Sequence, residues 1–247
     1  MAYSAPAFRV LYIEGFSPGP GLPSPLLSQA GVEWHEGRMP YTLGALLKNP
    51  YLVLLVASIA TLIWALSALS LTWFGVLGLL VALALWCFFL KRAIVGYVLD
   101  DCMAVYSRRI KELQPDVVVG YSWGGGVLCG LLNRSLWDGA SILLAPAGEQ
   151  MWGHSGRAPP TLRRGSIPVT ASVLTVQGDR DPIVTLEEVQ RLHKGADEST
   201  TSVGPQVELM VVARGDHFLR GIVTPHSLLA WFSRLCERTA ARKMSSE

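Results

Sequence analysis

The sequence predicts an α/β fold, a mostly parallel sheet flanked by helices, with a two-helix apolar insert in one connection. Three observations lead there. Short apolar runs alternate with helix-like segments along the chain, the pattern of strands joined by crossover helices. The composition divides unevenly: the chain has 247 residues, is 50% hydrophobic and only 16% charged, with a mean hydropathy of +0.34. The 41 residues from Pro50 to Leu90 carry no charge, and 33 of them are hydrophobic. Without them the remainder is about 44% hydrophobic, ordinary for one globular domain. Lastly, three turn motifs rich in Gly, Asp, Ser and His follow the ends of expected strands.

The first strand is the run Phe8-Arg-Val-Leu-Tyr-Ile13, which ends in Glu14-Gly15-Phe16 and a Pro/Gly-rich loop through Gly21. A short helix over Leu26–Ala30 and a second strand, Val32–His35, follow. Beyond the insert, Ala93–Leu113 reads as a helix leading into the strand Asp116–Val119, and Gly124–Leu132 reads as the helix after it. Ser141–Ala145, Ser172–Val176 and Val207–Val212 supply later strands, with helices near Leu186–His193 and Ser227–Arg238. Gly148–Gly165, with Trp152 and two consecutive prolines, reads as a loop or small cap. No internal repeat is visible, and residues 1–247 are expected to form a single α/β domain carrying an insert at 49–92.

A helix rises about 1.5 Å per residue, so 41 uncharged residues are about twice too long for one pass through a hydrocarbon layer of about 30 Å. They suit two passes of about 20 residues with a turn in the least apolar stretch, Ser67–Thr72. Asn49 is placed to cap the first helix and Pro50 to occupy its first turn, where a missing N–H costs nothing. Lys48 on one flank and Lys91 and Arg92 on the other are expected to hold both ends on the cytoplasmic face. An even number of passes also returns the chain to the side of the globular domain. Two apolar helices capping a site or forming a dimer interface are the alternative, but burying them would need more partner surface than the rest of the chain supplies. Cys87, near the basic flank, suits a buried apolar cysteine better than an acylation site.

A net charge of +2 with scattered basic residues gives no footprint for nucleic acid. Cys87, Cys102, Cys129 and Cys236 form no CxxC pair and no ligand-like spacing to His, so no metal site and no disulfide framework is expected, which fits a reducing compartment. Met1–Phe8 has no basic region ahead of an apolar run, so no secretory signal is expected, and membrane insertion is left to the Pro50–Leu90 segment.

Gly120-Tyr121-Ser122-Trp123-Gly124 is a G-x-S-x-G match between an apolar strand and a helix. Such a serine stands on a sharp turn, and glycines two residues to either side let backbone pass close by. The following helix N-terminus presents N–H groups and a positive dipole end where an oxyanion would form. Ser122 is therefore a nucleophile candidate; the same pattern also fits a serine that merely caps the helix. Asp179-Arg180-Asp181-Pro182 follows the Ser172–Val176 strand, and Gly215-Asp216-His217-Phe218 follows Val207–Val212. Both lie beyond carboxyl ends of strands, where sites of open α/β sheets assemble.

In the chain order Ser, Asp, His and in these contexts the sequence resembles the α/β-hydrolases, in particular their esterase, lipase and dienelactone-hydrolase-like members. The likeness covers both ends of the chain, and the apolar insert departs from it. It implies Ser122 as nucleophile, His217 as general base and later acid, and Asp181, the aspartate followed by Pro182, as the group that orients the imidazole; Asp179 and Asp216 are the competing carboxylates. His35, His193 and His226 read as surface or packing residues, and His154 as a loop residue able to approach substrate. The resemblance further implies an oxyanion hole from the backbone N–H groups of Trp123 and Phe16. In the family, the loop bearing the second donor often begins His-Gly, whereas here it reads Glu14-Gly15, placing a carboxylate near the expected anion.

The expected function is that of a membrane-anchored serine hydrolase, with no cofactor, acting on an acyl ester or thioester, probed by the bilayer location as a lipid or acylated substrate. A non-catalytic membrane-bound scaffold and an acyltransferase using the same three residues are the alternatives. A transporter is disfavoured because the apolar passes hold no charge.

Overall fold

The computed structural model describes residues 7–15, 24–37, 49–68, 73–195 and 205–246. In chain order the elements are β1 (Phe8–Ile13), α1 (Ser24–Gln29), β2 (Val32–Gly37), α2 (Pro50–Ala68), α3 (Trp73–Leu113), β3 (Val117–Tyr121), α4 (Trp123–Asn133), β4 (Ala140–Leu144), α5 (Gly148–His154), β5 (Ser172–Gly178), α6 (Leu186–His193), β6 (Gln206–Val212) and α7 (Pro225–Ser246). The strands form one sheet in the order β2-β1-β3-β4-β5-β6, parallel throughout. From β1 the chain first adds β2 on one side, then crosses to add β3 on the other. The carboxyl ends of β1 and β3 therefore flank a switch point, where doubly wound sheets open a crevice.

The sheet is covered on both faces, and the alternation of side chains shows how. Leu11, Ile13, Val118, Leu143 and Val173 point into one core with α3, α4 and α5, while Val10, Tyr12, Val117, Val119, Ile142, Leu174 and Val176 point into the other with α1 and α7. Every residue of β3, β4 and β5 is buried, which is why these strands read as largely apolar runs. The edge strands β2 and β6 are partly exposed and carry Glu33, Glu36 and Glu208. At the end of β2, Gly37 leaves room for the Tyr106 ring, whose hydroxyl donates to the Gly37 carbonyl at 2.7 Å.

One expectation is corrected here. The second apolar helix does not stop near Leu90 ahead of a separate helix over Ala93–Leu113; α3 is a single helix of 41 residues. No proline interrupts Leu90–Ala93, and Lys91 and Arg92 are good helix formers, so nothing in the backbone ends it. Its two halves meet different surroundings. Beyond Gly96, a stripe of Leu99, Cys102, Met103, Tyr106 and Ile110 at helical spacing is buried in the core. Ahead of it, residues 73–90 carry no charge and expose Leu77, Leu80, Val81, Leu85, Trp86, Phe88 and Phe89. The expected hairpin turn over Ser67–Thr72 is otherwise placed at its start, because α2 runs through Ala68; residues 69–72 lie outside the described residues, as does the Pro/Gly-rich loop from Phe16 to Gly21. The expected loop or cap over Gly148–Gly165 begins with the short helix α5.

Asn49 caps α2 as its position suggests, its Oδ1 accepting the N–H groups of Tyr51 at 3.0 Å and Leu52 at 3.3 Å. α2 runs antiparallel to the first half of α3: Tyr51 stacks near Tyr97 with ring centroids 6.3 Å apart, and Trp86 donates to Ser58 Oγ at 2.8 Å. The hydroxyls of Ser58 and Thr61 also donate to carbonyls one turn back, so the apolar surface carries few unsatisfied polar groups. Among the described residues one helix, over Gly75–Leu113, is able by length and composition to cross a membrane, and 6% of its most apolar stretch is buried; the apolar run of α2, Pro50–Trp64, is shorter.

α6 is held on β5 partly by His193, whose Nε2 lies 2.9 Å from Thr175 Oγ1. Burial pushes the imidazole from an ordinary 6.5 down to about 4. The unfolded chain thus binds a proton that the folded chain refuses between about pH 6.5 and 4. The stability this neutral imidazole contributes is complete above about pH 6.5 and lost as the pH falls towards 4, by about 3 kcal/mol in total. Urea unfolding midpoints measured from neutral pH down to pH 4 will fall in the wild type, and His193→Gln will flatten that part of the profile.

Candidate active site

Three loops at the carboxyl edge of the sheet converge, and the first is the turn from β3 into α4. Ser122 occupies it with φ 52° and ψ −114°, a positive φ that costs a non-glycine residue strain. The strain is held from three sides: Ser122 N–H donates to the Leu144 carbonyl at 2.8 Å, and its own carbonyl accepts from Gly126 at 3.1 Å and Ala147 at 2.9 Å. The flanking glycines are sterically required. A Cβ on Gly124 would collide with the Ile13 carbonyl, and one on Gly120 would come within 2.7 Å of the Gly124 carbonyl, so the helix can fold back onto the sheet only without them. Ser122 makes no side-chain cap bond to α4, which removes the reading of it as a mere helix cap.

The second loop follows β5. It brings Asp181 under the sheet edge while leaving Asp179 exposed. Asp181 Oδ1 accepts the N–H groups of Ile183 at 2.8 Å and Val184 at 2.9 Å, and Oδ2 accepts from His217 Nδ1 at 2.7 Å and Gln177 Nε2 at 3.2 Å. Burial works to raise the Asp181 carboxyl, but its bonds from His217 and the two backbone N–H groups outweigh that and hold it below the usual carboxylate range. The third loop follows β6 and carries His217. There Asp216 accepts the Phe218 N–H at 3.0 Å, a local turn bond that leaves it no part in the contact with His217. The two loops are tied together through Asp179 N–H to Val212 and Arg180 N–H to Gly215.

Ser122, Asp181 and His217 come together, 5%, 6% and 2% exposed. His217 Nε2 lies 3.1 Å from Ser122 Oγ while Nδ1 faces Asp181. An ionised carboxylate only accepts, so Nδ1 carries the proton and Nε2 presents its lone pair to the serine hydroxyl. The Tyr121 ring, 5.3 Å from the imidazole, limits its rotation. The arrangement is able to draw a proton from Ser122 and stabilise the resulting imidazolium. The other histidines stand elsewhere: His35 against Glu33 at 2.8 Å, His193 on Thr175, and His154 and His226 exposed.

Trp123 opens α4 beside the serine. Phe16 lies outside the described residues, but its chain neighbour Gly15 is packed so near Ser122 that a Cβ there would sit 2.9 Å from the serine Cβ. Gln177 is the residue that sequence reasoning missed. Fully buried at the end of β5, it donates to Asp181, to the Val184 carbonyl at 2.8 Å and to the Gly178 carbonyl at 3.1 Å, bracing the turn from inside. A polar side chain closing the run Val-Leu-Thr-Val was the signal available for it.

No family model and no curated protein matches the chain. Among solved structures, protein TT1662 of Thermus thermophilus superposes with a TM-score of 0.50 and 16% identity, over 94% of this chain and 90% of that one. A thermophilic esterase from Thermogutta terrifontis gives 0.45 and 15%, over 96% and 83%. A protein of unknown function from Agrobacterium tumefaciens gives 0.41 and 20%, over 59% of this chain and 64% of its own, so the chain spans just under two thirds of that protein. What TT1662 shares with this chain at that identity is the fold, a parallel sheet flanked by helices.

Proposed function

We propose that the protein is a membrane-anchored serine hydrolase that cleaves an ester or thioester of a lipid or acylated substrate through an acyl-serine intermediate. One observation carries this reading: the unbroken path from Ser122 Oγ through both nitrogens of His217 to Asp181, starting at a serine strained on a strand-to-helix turn. In the proposed reaction Ser122 Oγ attacks the acyl carbon as His217 Nε2 takes its proton. The carboxylate of Asp181 stabilises the imidazolium and keeps the ring in register. The backbone N–H groups of Trp123 and Phe16 are the proposed donors to the oxyanion, with the α4 N-terminus adding its dipole. His217 then returns the proton to the departing alcohol or thiol, and a water activated by the same nitrogen releases the acid.

The anchor reading rests on the apolar helix pair. The 19 residues of α2 and residues 73–90 of α3 would each span about 27–28 Å, close to the hydrocarbon thickness of a bilayer. Their exposed leucine, valine, tryptophan and phenylalanine side chains, clustered as monomeric soluble proteins rarely show them, would be covered by acyl chains. The globular domain would then rest against the headgroups, where lipid and acylated substrates partition.

A fluorophosphonate probe will label the wild type and leave Ser122→Ala unlabelled; equal labelling of both would refute the nucleophile. Asp181→Asn will lower kcat about 10⁴-fold, by releasing the tautomer that frees Nε2. Gln177→Leu, which removes one bond to Asp181 but spares the bond to His217, will lower kcat about fivefold, the worth of about 1 kcal/mol. On washing membranes with carbonate, the full chain will stay in the pellet, and a chain in which a short linker replaces Tyr51–Leu90 will move to the supernatant. A deletion that still pellets would rule out the helix pair as the sole anchor.

A further inference from the structure

A cavity of about 280 Å³ lies where the apolar helix pair joins the globular domain, and its lining is polar where the helices above it are not. Tyr51 from the start of α2, Arg92, Tyr97 and Asp100 from α3, and Ser155 and Arg157 from the loop after α5 surround it. The loop packs against α3 here: Gly156 takes a positive φ of 73°, and a Cβ on it would lie 3.2 Å from the Arg92 stem.

The charges in it are unequal. Arg157 grips Asp100 with both terminal nitrogens, at 2.7 and 2.6 Å, and Arg134 approaches the same carboxylate at 3.4 Å. Asp100 is thereby neutralised, and Arg157 is held fixed in the cavity wall with donors to spare. Arg92 has no ion pair among the described residues, and its guanidinium lies 4.3 Å above the Phe88 ring at the rim of the apolar surface. The cavity therefore presents an uncompensated guanidinium, a fixed second one and phenolic side chains, a donor set for a monoanion.

Its height along α3 selects the ligand's source. Arg92 follows Leu90, the end of the uncharged run, by about 3 Å of helix, inside a headgroup layer of about 5–8 Å, and Tyr97 by about 10 Å, at the outer edge of that layer, if residues 73–90 fill the hydrocarbon. Tyrosines at that level are the usual interfacial residues. We infer that this cavity is a binding site for the phosphate of an anionic phospholipid, which would seat the catalytic domain on anionic membrane. The inference rests on the proposed bilayer location of the helix pair.

The test uses the full-length protein purified through mixed micelles of phosphatidylcholine and phosphatidylglycerol, reading by mass spectrometry the ratio of the two lipids that stay bound. The wild type is expected to enrich phosphatidylglycerol. Arg92→Gln is expected to lower the enrichment about fivefold, as for one basic residue at a membrane surface, with Arg92→Lys retaining part of it. Lys91→Gln removes the same charge one residue away, outside the cavity, and is expected to change it less than twofold. Equal losses from Lys91→Gln and Arg92→Gln would show diffuse attraction and overturn the site, as would a wild type with no enrichment. In micelles of phosphatidylcholine alone, an Arg92-dependent rise in Tm with inorganic phosphate would overturn the lipid as the source. Carbonate washing separates the two readings: a protein released from membranes fails as an anchored hydrolase, whereas one retained without phosphatidylglycerol enrichment fails only at this cavity. Hydrolysis of a soluble ester is expected to be unchanged in Arg92→Gln, because the cavity does not include Ser122, Asp181 or His217.

Discussion

The backbone at Ser122 departs from β3 so sharply that α4 folds back against the sheet edge, and much of the molecule is arranged to permit it. The turn keeps a non-glycine residue at positive φ, a conformation worth about 1–3 kcal/mol of strain. Three main-chain bonds to β4, to the loop after it and to α4 hold it there. Glycines at 120 and 124 let helix and strands approach where any Cβ would collide with backbone. Gly15 brings the loop after β1 alongside, so the switch point between β1 and β3 opens directly at the serine. A rigid parallel sheet buried on both faces is what makes such strain tolerable, since local relaxation would have to break the core.

The same edge holds Asp181 by a network in which Asp181, His217, Gln177 and Val184 are all buried. A carboxylate out of water is costly unless its oxygens are filled, and here four donors fill them: two backbone N–H groups, His217 and Gln177. The outcome is an anion fixed in place with its charge directed at one nitrogen of the imidazole. Gln177 serves as a brace, because it also bonds the carbonyls at 178 and 184 and so ties both ends of the turn to β5.

α3 joins two different surroundings in a single helix. Its second half is amphipathic and packs Leu99, Met103, Tyr106 and Ile110 into the core. Its first half carries no charge and, among the described residues, packs against α2. A continuous helix carries the orientation of one half to the other. The proposed anchor would therefore set the tilt of the sheet, and with it the direction in which the edge bearing Ser122 faces the bilayer.

Much of this was legible in the chain itself. The sheet's strands announced themselves as apolar runs because buried parallel strands must be apolar on both faces, and the turn residues marked the places where the site forms, because glycine, serine and aspartate are the residues those turns admit. Ser122, Asp181 and His217 could thus be named from local pattern and chain order. The resemblance already favoured Asp181, the aspartate followed by Pro182, over Asp179 and Asp216; the tertiary structure added the physical reason, since the loop turns Asp181 inward, leaves Asp179 exposed and has Asp216 spend its oxygen on a local turn. The tertiary structure alone revealed Gln177, whose partners lie in a turn that has no meaning until the chain is folded. It alone showed α3 running unbroken from apolar surface to core, since the charges at Lys91 and Arg92 mark a change of surroundings and not an end to the helix. Sequence encodes which residues suit an environment; folding decides which environment each one meets.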